Sequence, residues 1–243
     1  MKTVTGAKTC HYKNRILQNL PHDAIERLQL HRVTLDVRRE MEYPGNSIDH
    51  VFFIEEGVAS MTTTLKDGSQ VEVGMFGYES AVGISALMGT RRSLNRVYMQ
   101  IGGSGYSTTV EQAKKEFERC GEFHHLALRY VQAQLTQCAQ SAACNAKHDI
   151  EQRLARWLLL CADRDQKEEF EIVQEFLADM LGSRRSTVTV AAGLLKNRGL
   201  IEYRRGKITI VDRPGLEKRA CECYEVVKHH LDNYLEFDTG FAV

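Results

Sequence analysis

Arg184, Arg185, Ser186, Thr187 and Thr189 fall within six consecutive positions, and Ser183 precedes them. The apolar spacing of residues 181–195 predicts a helix, yet its first turn carries arginines and hydroxyls where a surface helix would ordinarily carry Glu and Lys. Arginine presents a planar fork of N–H donors that fits guanine O6 and N7 or a phosphate, and Ser and Thr reach either. The free N–H groups at a helix N-terminus add a pull on phosphate oxygens. This is chemistry of recognition without bond making, so no catalytic residue is expected. Arg185 is the expected base reader, with Arg184 and Thr187 on phosphates.

The surrounding residues say how such a helix would be held. With Gln174 counted as the first position, Leu177 is fourth, Ala178 fifth, Leu181 eighth, Gly182 ninth, Val188 fifteenth and Ala191 eighteenth. That is the helix-turn-helix pattern. Two helices crossing steeply need a small residue at their contact, and the turn between them needs a backbone free to take positive φ. Residues 200–204 and 207–211 read as a hairpin over Arg205-Gly206, the wing of a winged helix. Between Gly182 and Lys207 stand Arg184, Arg185, Lys196, Arg198, Arg204, Arg205 and Lys207 against the single acid Glu202. The whole chain has a formal net charge of zero. Any attraction to double-stranded DNA therefore comes from this patch.

Three regions precede or contain the motif: 1–120, 121–147 and 148–243. The first reads as short strands closed by glycine turns, an antiparallel β-roll or jelly-roll barrel, after a short helix at 19–30. Strands are expected at 51–54, 58–65, 71–75, 97–101 and 106–110, with turns at Gly57, at Lys66-Asp67-Gly68 and at 102–105. The second is a long helix at 122–147 without Gly or Pro. Leu128, Val131, Leu135, Cys138, Ala142 and Asn145 recur on it at spacings of three and four, a seam for a second copy of the chain. The third opens with an amphipathic helix at 150–160, whose Leu154, Trp157, Leu158 and Cys161 point inward. Helices at 170–181 and 185–197 follow, then the wing and a last helix at 214–236. The fold class expected is α+β, with an N-terminal roll, a dimerisation helix and a C-terminal winged helix-turn-helix.

In this order of parts, "VFFIEEGVAS", "EQRLARWLLL", "LADMLGSRRSTVTVAAGLLKNRGLIEYRRGKITIVD" and "RPGLEKRACECY" resemble the CRP/FNR family of bacterial transcription regulators. The resemblance covers nearly the whole chain. It implies a cyclic-nucleotide-binding-type roll that senses a small-molecule effector. It also implies homodimers on near-palindromic promoters and contact with RNA polymerase. Members that respond to cAMP present Arg-Glu and, four residues after the Glu, Arg on the recognition helix. Here the matching positions are Arg185, Ser186 and Val190, so a different DNA sequence should be read. Cyclic-nucleotide members also carry Gly-Glu-Leu and, about ten residues on, Arg-Ser-Ala or Arg-Thr-Ala. This chain has Gly83-Ile84-Ser85-Ala86 and Arg91-Arg92-Ser93-Leu94. The Glu is missing and the Arg-Ser pair comes early, so cAMP and cGMP are not expected. Gly83, Ser85, Arg91, Arg92 and Ser93 remain the place for another anion. No cofactor is expected, and the effector is unidentified. A roll that binds nothing and only supports dimerisation is the alternative.

The seven cysteines, at 10, 120, 138, 144, 161, 221 and 223, are odd in number and irregular in spacing. They read as reduced thiols of a cytoplasmic protein. Cys10 alone near the N-terminus does not make the iron–sulfur cluster of oxygen-responsive relatives. Cys138 would face its own copy across the seam. Cys221 and Cys223 precede His229 and His230, but on one continuous helix residues two apart point about 200° from each other. No metal site is expected. His-x-His, as in metal enzymes of the cupin type, does not occur. The longest apolar run, 157–162, is too short to span a bilayer, and no membrane partner is expected.

Overall fold

The structure, a computed structural model, describes residues 11–172, 174–204 and 206–236. Two short helices, α1 (Arg15–Gln18) and α2 (His22–Leu28), lead into β1 (His31–Leu35), β2 (Glu40–Glu42), β3 (His50–Thr64), β4 (Gln70–Phe76), β5 (Ala81–Val82) and β6 (Arg96–Thr109). All pairings are antiparallel, in the order β1-β6-β3-β4, with β2 on β6 and β5 on β3. The expected roll is thus present.

Two expected turns are not turns. Residues 51–54 and 58–64 merge into β3, which passes Gly57 through shifts of register. Residues 97–101 and 106–109 merge into β6, the glycine run lies inside it, and Val110 opens the helix that follows. The run is there for closeness. A Cβ on Gly103 would sit 1.9 Å from the Glu56 carbonyl oxygen across the ladder. A glycine inside a strand marks such an approach as readily as it marks a turn.

After α3 (Val110–Phe117) comes α4 (Glu122–Lys147), with the bounds read from the sequence. One face, including Phe123, Leu126, Tyr130, Ala133 and Cys144, is buried against its own chain. The proposed seam lies on the other side. Leu128 and Leu135 remain 42% and 64% exposed, and Val131, Cys138 and Asn145 are half-buried beside exposed Ala142.

The remainder is α5 (Ile150–Asp165), β7 (Glu169–Glu171), α6 (Gln174–Met180), α7 (Arg185–Asn197), β8 (Ile201–Arg204), β9 (Lys207–Ile210), α8 (Arg213–Arg219) and α9 (Cys223–Asn233). Asp149 caps α5 in a reciprocal box with Gln152, and Leu154, Trp157, Leu158 and Cys161 are buried as expected. Phe170 is not helical. It lies in β7, which pairs with β9 and extends the wing to three strands. The last helix is not continuous either. It stops at Arg219 and restarts at Cys223.

Buried polar groups tie these parts together. Arg164 of α5 reaches Glu79 at 3.0 Å and Gln137 of α4 at 2.7 Å. Trp157 Nε1 donates to Glu72 of β4 at 3.0 Å. The Ser60 hydroxyl, with one proton, lies between Glu72 Oε2 and Gln100 Oε1. A protonated Glu72 supplies the second hydrogen, and burial pushes its carboxyl up to about 7. A folded-state value above the ordinary 4.5 means stability is lost as pH rises from about 4.5 through 7. Glu72→Gln should remove that loss. Its stability advantage over the parent, followed by denaturant melts, should be larger at pH 8 than at pH 5 by about 2 kcal/mol.

Candidate nucleic-acid interface

Helix α6 and helix α7 are joined by a turn in which Leu181 N–H donates to Leu177 O, Gly182 N–H to Asp179 O and Ser183 N–H to Ala178 O. Gly182 has φ +51, and its α-carbon faces Val71 of β4 so closely that a Cβ would sit 2.8 Å from that side chain. Both demands exclude a larger residue. Leu177, Ala178, Leu181, Val188 and Ala191 are all buried, as the spacing required. With these on the inner face, the other face of α7 is left to solvent.

Arg184, Arg185, Ser186, Thr187 and Thr189 are exposed on that face, and Ser183 is half-buried beside them. Arg184 is the N-cap and makes no side-chain cap bond, and the first turn holds no acid. No acid of the helix's own first turn lies against its N-terminal amides, which favours an approaching phosphate. Val190, at the position where the cAMP-responsive pattern has an arginine, is 64% exposed. An exposed apolar side chain on a reading face suits a thymine methyl.

In the wing, Arg204 and Lys207 face each other across the last pair of the β8–β9 ladder, both exposed. Arg204 lies 3.6 Å from Glu202 and Lys207 2.7 Å from Glu169. Arg205, at the tip, lies outside the described residues. Lys196 is exposed in the last turn of α7. Arg198, just beyond that turn, is engaged otherwise. It pairs with Glu151 at the start of α5, which also takes Arg219 of α8 at 2.7 Å. That carboxylate anchors the far end of α7 to the frame behind it.

The expected effector residues do not form one open cradle. Gly83 N–H donates to Glu42 Oε1 at 2.9 Å, and the Ser93 hydroxyl donates to Glu42 Oε2 at 2.6 Å. The donors that an anion would need there are taken by a carboxylate from β2, which burial pushes above the usual range. Ser85 is exposed. Arg91 lies 3.6 Å from Asp49, and Arg92 donates to the Gly45 carbonyl at 2.7 Å. Glu42 was missed from sequence because it stands some forty residues before the residues it meets.

The break at 220–222 also changes the reading of Cys221 and Cys223. They do not share one helix, so the angular argument against a common ligand does not apply. Their neighbours are Cys144 and His148, not His229 and His230.

A family model described as a Crp-like helix-turn-helix domain matches residues 152–219. The chain is 23% identical over 188 residues to a global nitrogen regulator of Nostoc sp., covering 73% of this chain and 83% of that protein. Its fold is similar to that of a CRP/FNR-family transcriptional regulator of Thermus thermophilus, with TM-score 0.65 and 20% identity over 78% of this chain and 98% of the other. It is also similar to that of a c-di-GMP responsive global regulator of Xanthomonas campestris, with TM-score 0.65 and 17% identity over 78% and 99% of the two chains.

Proposed function

We propose that the chain is a DNA-binding transcription regulator of the CRP/FNR type, a reading supported by the Crp-like helix-turn-helix match and the similar regulators, and that it works as a homodimer on near-palindromic promoter sites, in the cytoplasm, in contact with RNA polymerase there. The observation that carries the reading is the first turn of α7, uncapped, free of acids and lined with exposed arginines and hydroxyls. The exposed seam of α4 supports the dimer. Two recognition helices about 34 Å apart then meet successive major grooves. On this reading the protein acts by binding DNA and needs no catalytic residue. No helix among the described residues is long and apolar enough to cross a membrane.

Arg185 reads bases, and Arg184, Ser183 and Thr187 hold phosphates on either side. Arg204, Arg205 and Lys207 rest on the backbone beyond. Arg204→Ala should therefore weaken every DNA alike. Fluorescence anisotropy over a salt series should show its log–log slope shallower by about one per wing that contacts a phosphate. An unchanged slope would remove the wing from the interface.

A second reading, of a roll that binds no anionic effector at Gly83 and Ser93, is favoured by Glu42. An anionic ligand would have to displace a carboxylate already bonded to both groups. In that case the regulator binds DNA without a nucleotide, and Glu42→Ala should leave ligand-free DNA affinity intact while opening the cradle. Calorimetric titration of Glu42→Ala and the parent with cAMP and inorganic phosphate checks this. Binding to the parent at this cradle would contradict it.

A further inference from the structure

Four metal-ligating side chains meet where the dimerisation helix ends. Cys144 lies in the last turn of α4 and His148 is its C-cap. Cys221 lies in the break between α8 and α9, and Cys223 opens α9. Their donor atoms all lie within 4.8 Å of one another. Cys144 Sγ and Cys221 Sγ are 3.5 Å apart, as are Cys223 Sγ and His148 Nδ1. In a tetrahedral site with zinc–sulfur bonds near 2.3 Å, neighbouring sulfurs stand about 3.8 Å apart. The four groups are thus at ligand spacing, with room for a single ion among them.

We propose that Cys144, His148, Cys221 and Cys223 form a structural zinc site that clasps the end of the dimerisation helix to the C-terminal helices.

The surroundings are those of a thiolate metal site. The three cysteines are at most 4% exposed. His148 turns Nδ1 to the cluster and Nε2 to Glu222, 3.2 Å from Oε1. A carboxylate on the far nitrogen fixes the ring and strengthens its donor, the usual outer partner of a metal-bound histidine. Gln140 Nε2 donates to Cys223 Sγ at 3.1 Å. Three thiolates and one divalent ion carry a net charge of minus one. Arg153 and Arg156 of α5 stand beside the cluster, and the buried Nε of each has no hydrogen-bond partner among the described residues. Neutral thiols would leave these guanidinium groups without a counter-charge on this side, and a zinc–thiolate centre supplies one. Zinc is favoured over magnesium or calcium by the sulfur donors, and a donor set with no position left open marks a structural site.

The placement gives the site its consequence. The 74 residues from His148 to Cys221, which include the whole reading motif, would be closed into a loop at its base by one ion. Fixing that base fixes how the winged helix leaves α4.

The test is elemental analysis of the full chain, purified without a metal-affinity tag or added metal. One zinc per chain is expected, retained through gel filtration. Cys144→Ser and Cys223→Ser should lose it, and Cys120→Ser, at an exposed cysteine away from the cluster, should keep it. Serine variants that unfold would lose zinc for the wrong reason, so the parent chain is also prepared with cobalt. Visible d–d bands of tetrahedral cobalt with a thiolate charge-transfer band are then expected. Folded protein holding no metal and giving no cobalt bands would overturn the proposal. So would a Cys144–Cys221 disulfide in the native protein, an iron–sulfur chromophore, or zinc kept by both serine variants.

Discussion

Arg185→Ala should sharply reduce discrimination between the chain's own site and random DNA while leaving the weak, salt-sensitive binding largely in place. A bidentate contact from arginine to guanine contributes about 1–3 kcal/mol of discrimination per base pair. A symmetric dimer uses it twice, so the expected loss of specific affinity is about 2–6 kcal/mol at fixed salt. Arg185 is exposed at the first helical position of α7, and the side chains that pack α7 lie on the opposite face. Its removal should therefore leave the melting temperature unchanged. Competition titrations of specific against random duplex give the ratio directly. A ratio equal to that of the parent would place base reading elsewhere on α7, with Ser186 and Val190 next in line.

The second large effect is expected from Leu135→Glu. Leu135 is the more exposed of the two seam leucines of α4, at 64% against 42% for Leu128. A charge there costs nothing in the single chain. In the dimer it meets its own copy across a narrow apolar seam, where two like charges repel and lose their hydration. The variant should be monomeric by light scattering with an unchanged circular dichroism spectrum. Its affinity for the full palindrome should fall about 10²–10⁴-fold, the part contributed by linking two half-sites. A dimer that persists would move the interface off α4.

The winged helix was legible because its constraints are local. Gly182, Ala178 and the buried Leu and Val positions are set by one turn and one crossing, all within eighteen residues. The α4 bounds were legible for the same reason, since nothing within 122–147 breaks a helix. The errors arose where partners are distant. Gly102, Gly103 and Gly105 read as a turn, but the carbonyl that requires Gly103 belongs to Glu56. Phe170 read as helical, yet β9 captures it as a third strand. Glu42 was invisible as a partner of Gly83 and Ser93. The cysteine pair at 221 and 223 was set aside on the geometry of a helix that Ala220 interrupts. The one available hint was spacing: Cys144 and His148 are four apart at a helix end, so they lie on one face, and a Cys-x-Cys stands further on.

The central claim, a dimer reading a two-fold DNA site through α7, is tested most directly by selection. Purified full-length protein, without added effector, is mixed with a pool of genomic fragments at two salt concentrations, and the retained DNA is sequenced. The account expects a short inverted repeat, with half-site centres about one helical turn apart, enriched more strongly at the higher salt, where non-specific binding fades. Retained fragments with no shared sequence at either salt, or a single unrepeated motif, would contradict it.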